Sequence, residues 1–249
     1  MERITSRKNK IIVHLRELGS EKKYRQQCGE FLCDGLKLLN EAVSFGAEIT
    51  AVLWKGTAQE ATLPANCPQY EAPEDLFDYA SPMKNSPGPL FTVRIRPDSG
   101  QPFSNALVLE NVQDPGNVGT VLRTANAFGV DAVVLVGACA DLYSPKTVRS
   151  TMGAVFRQRA ITLAGPGELK ELLAQTGLKL YGAALRDDAE DIRNVDIRKA
   201  AVAVGSEGKG LSQELLSLCD ASVIIPMQPQ SESLNAAVAA SVIMWEMAR

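Results

Sequence analysis

The stretch ALVLENVQDPGNVGTVLRTANAFGVDAVVLV, residues 106–136, predicts the fold of the C-terminal part of the chain. Its ends, 106–110 and 132–136, are short and almost entirely apolar, which is typical of strands buried on both faces of a parallel sheet. Between them the spacing of apolar residues predicts a helix over 117–128, whose buried face carries Val118, Val121, Leu122, Ala125 and Phe128. A strand, a loop, a helix and a second strand in this order indicate one unit of an α/β fold.

The same alternation continues to the end of the chain. Further short apolar runs, which predict strands, lie at 179–185, 201–205 and 222–226. Helical patterns lie between or beyond them, near 145–153, 167–176, 211–219 and 233–249. We therefore predict an α/β domain over 105–249 with a parallel sheet covered on both faces. In such sheets a ligand binds beyond the carboxyl ends of the strands, where glycine-rich loops lead into helices.

A smaller α/β domain is predicted over 1–97. Its helical patterns lie at 8–18, 34–46 and 72–80, and its strands lie at 48–54 and 88–95. Asp34 is the expected N-cap of the second helix. The stretch RPDSGQPFSN at 96–105 concentrates proline, glycine, serine and aspartate without periodicity, so we place a linker at 98–104. A chain of 249 residues is long enough for two domains, each with its own core.

Basic residues concentrate at the start of an otherwise mildly acidic chain. The net charge is −3, yet residues 1–25 carry eight basic and three acidic side chains. A basic edge on an acidic body is typical of an RNA-docking segment, and a solvated helix surface is the alternative that charge alone leaves open. The side chains that we predict to contact RNA are Arg7, Lys8, Lys10, Lys22, Lys23 and Arg25.

Several classes of function are disfavoured by what the sequence lacks. The five cysteines are scattered and form no CxxC pair, which indicates reduced thiols rather than a disulfide framework. The one histidine, His14, lies in the basic N-terminal segment, so no serine–histidine or cysteine–histidine nucleophile is expected in the C-terminal domain. No metal-ligand spacing is present, and no apolar stretch is long enough to span a membrane. We expect a cytoplasmic protein that binds neither a metal nor a membrane.

The first of three unusual loops leads into the helix described above. The turn sequence DPG at 114–116 is followed by Asn117, the expected helix cap. On an ideal helix Arg123 points away from the apolar face, beside Gly119. There it can meet a phosphate or a second subunit, and a solvated helix charge is the alternative that periodicity leaves open.

The second loop, VGSEGKGLS at 204–212, follows a fully apolar strand. Gly205, Gly208 and Gly210 permit positive φ angles and a close approach of the backbone to a ligand. The spacing matches neither a phosphate-binding P-loop nor a GxGxxG dinucleotide loop. Glu207 would repel phosphate and suits neutral or cationic groups. A tight strand-to-helix turn without a ligand is the alternative interpretation.

The third loop joins the last predicted strand to the last helix. Pro226 stiffens it and leaves carbonyl groups available to a ligand, and Ile225 and Met227 can flank an aromatic ring. Ser233 and Asn235 lie where the helix begins and offer a hydroxyl, an amide and free backbone N–H groups. A core helix that closes the sheet is the plainer interpretation of the same stretch.

The three loops, in this order and spacing, resemble the three motifs of the SpoU (TrmH-type) RNA 2′-O-methyltransferases of the SPOUT superfamily. The matching stretches are DPGNVGTVLRTANAFG at 114–129, VGSEGKGLS at 204–212 and IIPMQPQSESLNAAVAASVIMWE at 224–246. YSPKTVRSTMGAVF at 143–156 resembles the family's segment between the first two motifs. ITSRKNKIIVHLREL, KKYRQQCGEFLCDGLKLLNEAV and NSPGPLFTV resemble the substrate-binding domain that precedes many members, although Asp34 stands where glutamate is expected.

The resemblance implies a parallel-sheet domain whose C-terminal chain threads into a trefoil knot that holds S-adenosylmethionine. The cofactor contacts that it implies come from Val204, Gly205, Glu207, Gly208, Ile225, Pro226, Met227 and Leu234. The catalytic neighbourhood that it implies consists of Asn117, Arg123, Glu207, Ser233 and Asn235. Members usually act as homodimers with an active site shared between subunits, which would give Arg123 a partner to face.

Methyl transfer to a ribose 2′-hydroxyl is an in-line displacement at a sulfonium carbon, so the enzyme has to align oxygen, carbon and sulfur. A guanidinium has a pKa above about 12 and is almost always charged, which makes Arg123 a poor general base. We therefore expect Arg123 to bind the phosphate next to the target ribose and to stabilise the developing charge. The proton acceptor, a phosphate oxygen or water, stays open.

Ribosomal RNA is the expected substrate because the N-terminal part resembles the domain of ribosomal-RNA members, and transfer RNA is the alternative. A catalytically silent RNA-binding scaffold is a different class of function, against which the intact Asn117, Arg123 and Glu207 argue. An NAD- or nucleotide-binding enzyme of ordinary doubly wound fold is disfavoured by the absence of GxGxxG and GxxxxGK[ST] motifs.

Overall fold

The computed structural model describes residues 1–228 and 233–249, and the chain folds into two compact units. The N-terminal unit comprises Met1–Pro97 together with Asp141–Phe156, and the C-terminal unit comprises Asp98–Ala140 and Arg157–Arg249. The predicted division into 1–97, a linker and a continuous domain from 105 stays a prediction. The structure adds that the segment 141–156 packs with the N-terminal unit.

The helices and strands follow one another in chain order. The strands are β1 (Glu2–Arg3), β2 (Glu30–Asp34), β3 (Ile49–Lys55), β4 (Gln69–Ala72), β5 (Leu90–Arg94), β6 (Ala106–Glu110), β7 (Ala132–Val136), β8 (Ala160–Leu163), β9 (Lys179–Ala183), β10 (Glu190–Asp191), β11 (Ala200–Val204) and β12 (Ala221–Ile224). The α-helices are α1 (Lys10–Ser20), α2 (Lys22–Cys28), α3 (Leu36–Ser44), α4 (Glu74–Ala80), α5 (Pro115–Phe128), α6 (Pro145–Ser150), α7 (Pro166–Thr176), α8 (Gln213–Leu216) and α9 (Ala236–Ala248).

The N-terminal unit is built on a mixed sheet in the order β1-β4-β3-β5-β2. Strand β5 is antiparallel to β2 and β3, and the remaining pairs are parallel. Because side chains alternate between the faces of a strand, two cores form. On one face α3 and the segment 141–156 pack around Trp54 and Phe91. On the other face α1 and α4 pack around Leu32 and Leu53.

Helix α3 begins later than the sequence pattern predicts. Asp34 is the last residue of β2, where it pairs with Leu90, and the N-cap is Gly35 with a φ of 107°. That conformation favours glycine. Asp34 accepts a hydrogen bond of 2.6 Å from Ser86 Oγ instead, and burial raises the pKa of its carboxyl group. The prediction that Asp34 caps this helix is wrong, because the ladder with β5 extends through the residue.

Arg25, which we predicted to contact RNA, is only 5% exposed and forms a buried ion pair. Its Nη2 and Nε donate to Asp141 Oδ2 at 2.6 and 3.0 Å, and its Nη1 donates to the Leu18 carbonyl at 2.6 Å. All three guanidinium nitrogens are engaged within the N-terminal unit, so the assignment of Arg25 to RNA is wrong. Arg25 instead ties α1 and α2 to the segment 141–156.

The C-terminal unit contains, among its described residues, a seven-stranded parallel sheet in the order β10-β12-β9-β11-β6-β7-β8, which confirms the predicted fold class. Strands β6 and β11 are neighbours, with Leu109 opposite Val204, and every residue of both is buried. Two strands far apart in sequence therefore end side by side. The sequence pattern misses β8 and β10, which lack a continuous apolar run. The trefoil knot stays a prediction.

The predicted linker is attached to the C-terminal unit. Asp98 accepts hydrogen bonds of 2.6 and 2.7 Å from Arg159, which hold the pKa of its carboxyl group below the ordinary value. The guanidinium of Arg159 also lies 5.0 Å from the ring centroid of Phe103. Ser104 donates to Asp131 through its backbone N–H and its hydroxyl, at 2.7 and 2.8 Å. These contacts hold 98–104 against the edge of the parallel sheet.

All five cysteines are free, and burial raises the pKa of the Cys33, Cys67 and Cys139 thiols and that of Cys219 to about 11. A thiol with a raised pKa stays protonated and is a poor nucleophile.

Within the described ranges, every helix is too short or too polar to cross a lipid bilayer.

Removal of Arg25 is expected to destabilise the N-terminal unit, because Asp141 would keep a largely buried charge without its partner. We expect Arg25→Ala to lower the free energy of unfolding by about 3 kcal/mol, measured by urea denaturation. Lys23→Ala, an exposed change on the same helix, is the matched control and should shift it by less than about 0.5 kcal/mol. Equal stabilities for the two variants would contradict a structural role for the ion pair.

Candidate active site

A tight hairpin at residues 205–210 follows β11. The Gly210 N–H donates to the Ser206 carbonyl at 2.8 Å, and the two residues form an isolated antiparallel bridge. A Cβ atom on Gly205 would overlap the carbonyl group of Gly210, so no other residue fits at 205 without displacing the hairpin. Gly208, by contrast, has open space where a Cβ would lie. The hairpin therefore requires glycine at 205, whereas a side chain at 208 would meet no steric obstacle.

A buried carboxylate anchors the far end of the hairpin, and sequence reasoning missed it. Glu110, the last residue of β6, is 2% exposed and accepts hydrogen bonds from the Ser212 N–H at 2.7 Å and the Ser212 hydroxyl at 2.6 Å. Ser212 Oγ in turn accepts from the Leu215 N–H and caps α8. The available signal was a charged residue at the end of an otherwise apolar strand, a residue type that is rarely buried without a partner.

Asn117, Glu207 and Asn235, one residue from each of the three loops, meet in a polar cluster. Asn117 Nδ2 donates to Glu207 Oε1 at 2.8 Å, and Asn235 Nδ2 donates both to Glu207 Oε1 and, at 3.2 Å, to Asn117 Oδ1. The Ala236 N–H, at the start of α9, points to Glu207 Oε1 at 3.4 Å. The structure thus brings together three of the five predicted catalytic residues.

Helix caps hold two members of this cluster in place. Asp114, rather than the predicted Asn117, is the N-cap of α5, and its Oδ1 accepts from the Asn117 N–H at 2.9 Å. The Asn117 side chain is therefore left to contact Glu207. Asn235 is the N-cap of α9, where its Oδ1 accepts from the backbone N–H groups of the first turn. Its Oδ1 therefore accepts from the helix backbone, while its Nδ2 donates to Glu207 and Asn117.

An apolar cavity of about 520 Å³ opens beside the polar cluster. The predicted cofactor and catalytic residues that line it are Val204, Gly205, Glu207, Ile225, Met227, Ser233 and Leu234. Sequence reasoning missed the end of β9 with the loop after it, at 183–186, and the side chains of Leu211 and Leu216. Pro226 does not belong to the lining. Residues 229–232 of the third predicted motif lie outside the described residues.

A second cavity, of about 730 Å³, shares the hairpin as a wall. It is lined by 111–114, Asn117, Ala138, 206–210 and Ser212, and it includes Gly208, which we predicted for the cofactor. Glu207 faces both cavities. Over the described part of the chain, histidine, cysteine and carboxylate side chains form no group that could hold a metal ion.

Arg123 is not part of the polar cluster within one chain. It is exposed on α5, about 9 Å along the helix axis from Asn117, and its side chain makes no hydrogen bond or ion pair with any described residue. Val118, Val121, Leu122 and Ala125 are buried, as the sequence pattern predicts, whereas Phe128 at the end of the helix is half-buried. Gly119, predicted on the exposed face, is buried too.

The outer face of α9 carries exposed apolar side chains. Trp245 is 57% exposed and Val238 is 49% exposed, and a spacing of seven residues places them on one face of the helix. The Trp245 ring also meets Phe128 of α5 edge to face, with 5.6 Å between centroids. The exposed apolar side chains thus both belong to α9, and one of them lies against the half-buried Phe128 of α5.

The basic residues that we predicted for RNA belong to the N-terminal unit. The exposed ones are Arg7, Lys8, Lys10, Lys22 and Lys23. The guanidinium of Arg7 lies 4.4 Å from the ring centroid of Tyr79. Their contact with RNA stays a prediction.

Comparison with known sequences bears out the family resemblance. A family model described as the SpoU rRNA Methylase family matches residues 104–245, and one described as an MRM3-like substrate binding domain matches residues 9–90. The chain is 33% identical over 249 residues to the Bacillus subtilis 23S rRNA (guanosine(2553)-2′-O)-methyltransferase RlmP, covering 99% of each chain. It is 31% identical to the Streptomyces viridochromogenes 23S rRNA (uridine(2479)-2′-O)-methyltransferase, covering 99% of this chain and 92% of that one.

Solved structures agree with these relatives. The SpoU methyltransferase AviRb from Streptomyces viridochromogenes, in complex with the cofactor AdoMet (S-adenosylmethionine), has a TM-score of 0.84 and 27% identity, covering 97% of this chain and 98% of that one. An AdoMet-bound rRNA methyltransferase from Sinorhizobium meliloti has a TM-score of 0.85 and 27% identity, covering 99% of this chain and 97% of that one. Coverage of this extent includes both units of the chain.

Gly205→Ala is expected to displace the hairpin, since its Cβ would overlap the Gly210 backbone. We expect the affinity for S-adenosylmethionine, measured by calorimetry, to fall by about tenfold or more. Gly208→Ala is the matched control, because a Cβ there meets nothing within 4 Å. If Gly205→Ala binds as tightly as Gly208→Ala, the hairpin is not a wall of the cofactor site.

Proposed function

The chain belongs to the SpoU rRNA Methylase family, and we propose on that basis that it transfers a methyl group from S-adenosylmethionine to a ribose 2′-hydroxyl of ribosomal RNA. The observation that carries this proposal is the polar cluster of Asn117, Glu207 and Asn235 beside two cavities. Transfer between two molecules needs adjoining sites in which donor and acceptor are aligned, and a shared polar wall meets that need.

The residues of the apolar cavity fit S-adenosylmethionine. Leu211, Ile225 and Met227 offer apolar and polarizable surface to an adenine ring. The backbone of Met227 and Leu234, outside helices and strands, makes no hydrogen bond with another described residue and is available to the polar edges of a ligand. When bound, S-adenosylmethionine supplies an electrophilic methyl group on a positively charged sulfur.

Glu207 is held in one orientation and keeps one oxygen available. Its Oε1 faces three donors, the side chains of Asn117 and Asn235 and the Ala236 N–H. The N-terminal end of α9 favours the negative charge. Its Oε2 accepts no hydrogen bond from the described residues, so it can accept one from a ribose hydroxyl. The fixed carboxylate also favours a positive charge on either side of the hairpin.

The chain orients the 2′-hydroxyl and stabilises its developing charge. A guanidinium is a poor proton acceptor, so Arg123 is not the general base in this proposal. Its guanidinium donates instead to the phosphate next to the target ribose, which fixes the sugar and lowers the cost of negative charge on the oxygen. The proton then passes to a phosphate oxygen or to water.

Arg123 acts, in this proposal, on the site of a second copy of the chain. It is exposed on α5, on the same pair of helices whose outer face carries Val238 and Trp245. A symmetric dimer that covers these apolar side chains would remove them from water and direct Arg123 of each copy toward the other. That arrangement supplies Arg123, which the single chain leaves outside the cluster.

The N-terminal unit is assigned to the RNA. The substrate-binding model matches 9–90, and the exposed Lys8, Lys10, Lys22 and Lys23 lie within or beside that range. Contacts of this kind are made with phosphates and weaken as salt rises. Action on ribosomal RNA also supports the cytoplasmic location that the sequence predicts.

The reaction can be tested directly. The purified protein is incubated with methyl-labelled S-adenosylmethionine and ribosomal RNA transcribed in vitro, which carries no modification. We expect label in RNA and, after alkaline hydrolysis, a resistant dinucleotide, because a 2′-O-methyl group blocks cleavage at that position. Transfer RNA transcribed in vitro is tested in parallel. Incorporation of label into transfer RNA but not into ribosomal RNA would contradict the assigned substrate. Binding of RNA without any transfer of label would favour the silent scaffold.

Arg123→Ala is expected to abolish methylation while leaving the affinity for S-adenosylmethionine within about threefold, because Arg123 lines neither cavity. Arg198→Ala, an exposed arginine before β11, is the matched control. If the site is shared, mixing Arg123→Ala and Asn235→Ala subunits should restore activity in heterodimers. Equal loss of cofactor affinity and rate in Arg123→Ala would contradict its assignment to RNA.

Asn235→Ala is expected to lower both the rate and the cofactor affinity, since Asn235 orients Glu207 and caps α9. Loss of such a cap costs about 1 kcal/mol of stability in addition. Single-turnover rates and calorimetry measure the two effects. Ser241→Ala, which removes a hydroxyl bonded to the Ala237 carbonyl on the same helix, is the control. Methylation at the wild-type rate would show that the cluster is not catalytic.

A further inference from the structure

The second cavity differs in chemistry from the one assigned to the cofactor. Its lining is rich in amide, carboxylate and backbone groups, including Asn111, Gln113 and Asp114. At about 730 Å³ it lies within the range of about 300–1,000 Å³ typical of sites for small organic groups. It meets the cofactor cavity at the hairpin that carries Glu207. A substrate in this cavity would therefore lie directly across the polar cluster from the methyl donor.

The charges of the second cavity favour a neutral group over a phosphate. Asp114 and Glu207 contribute two carboxylates to the lining, against the single ammonium group of Lys209. Two carboxylates repel a phosphate, whereas ribose and base are neutral and rich in hydrogen-bonding groups. Lys209 is exposed and can meet the backbone phosphate at the entrance. The cavity thus suits the nucleoside part of an RNA residue that is turned out of its helix.

Asn111, directly after β6, is held by the backbone around it. Its Oδ1 accepts a hydrogen bond of 2.8 Å from the Ala138 N–H. A Cβ atom on Gly137 would lie 2.7 Å from the same oxygen, so glycine at 137 makes room for the amide. Asn111 itself has a φ of 55°, a left-handed conformation that asparagine tolerates better than most residues. The amide is therefore fixed in place and in direction.

The orientation of this amide determines what it can bind. A backbone N–H is always a donor, so the atom that accepts from Ala138 has to be the oxygen and the other has to be the NH₂ group. Asn111 Nδ2 donates to no described residue, and Asn111 lines the cavity. A fixed donor suits a carbonyl oxygen on a base. Guanine, uracil and cytosine carry such an oxygen, and adenine does not.

Building on the proposed function, we propose that the second cavity receives the target nucleoside and that Asn111 selects its base by donating to a carbonyl oxygen. Gln113, exposed in the same loop, offers a second amide to the base edge. Asn111 is a specificity-determining residue in this scheme, while Glu207 and Asn117 contact the ribose. The chain then selects against adenosine because Asn111 Nδ2 would be left buried without an acceptor.

The wild-type protein provides the first test. The methylated position is mapped in ribosomal RNA transcribed in vitro, and four RNAs are prepared that differ only in the base at that position. We expect a natural target with a carbonyl-bearing base and a loss of kcat/KM of about ten- to hundredfold when adenine replaces it. A natural target at adenosine, or equal rates for all four RNAs, would overturn the proposal. Absence of methylation in any RNA would overturn the proposed function itself.

Asn111→Asp provides the second test with little change in shape. The Asp side chain keeps an oxygen for the Ala138 N–H and tolerates the same φ, but it replaces the Nδ2 donor by an acceptor. We expect methylation of the natural RNA to fall about tenfold or more, with the preference among the four bases moved toward those with an amino group. Affinity for S-adenosylmethionine, measured by calorimetry, should stay within about threefold.

Matched changes separate base selection from a loss of structure. Gln175→Ala removes an exposed amide on α7, away from both cavities, and should leave the four rates unchanged. Gln113→Ala should reduce the rate without altering the Asn111-dependent discrimination against adenine. An Asn111→Asp protein with the wild-type order of preference would overturn the proposal. If this variant does not fold, the wild-type series with four RNAs still decides it.

Discussion

Parallel pairing sets Leu109 of β6 opposite Val204 of β11, so two strands far apart in sequence end at one level of the sheet. The turn before α5 and the hairpin after β11 emerge from those ends as neighbours. Glu207 can then accept a hydrogen bond from Asn117, although the two residues are 90 positions apart in the sequence. The two cavities, the polar cluster and the proposed transfer all depend on this pairing, because each needs both loops at the same edge.

The hairpin gains its rigidity from groups that are buried beneath it. Glu110 would be costly to bury as an unpaired charge, and its two hydrogen bonds to Ser212 compensate for the lost water. Gly205 lets the hairpin close on itself at a distance that a side chain would prevent. The carboxylate of Glu207 thus stands on a hairpin that hydrogen bonds and close packing hold in place, and fixed groups of this kind are effective in the proposed catalysis because they need little reorganisation.

Sequence alone predicts much of the C-terminal unit and less of the site. Strands β7 and β11 are continuous apolar runs and β6 is apolar up to its last residue, and such runs have few alternatives in an α/β pattern. Asn117, Glu207 and Asn235 were predicted from motifs, but their mutual hydrogen bonds depend on strand order, which periodicity does not contain. Glu110 and Asn111 were missed for the same reason.

The misassigned residues show where local patterns compete with tertiary contacts. Arg25 belongs to a basic run, yet its guanidinium forms an ion pair with Asp141, far along the chain. Aspartate is a residue type that often caps helices, yet the pairing of Asp34 with Leu90 makes it the end of a strand.

The segment 141–156 has a consequence for how such proteins change in evolution. It lies inside the stretch matched by the methylase family model, yet its Val148 and Phe156 complete a core of the N-terminal unit and its Asp141 binds Arg25. A simple exchange of the first hundred residues for those of another relative would leave these side chains without their partners. An exchange of the N-terminal unit between family members therefore has to carry two separate pieces of chain together.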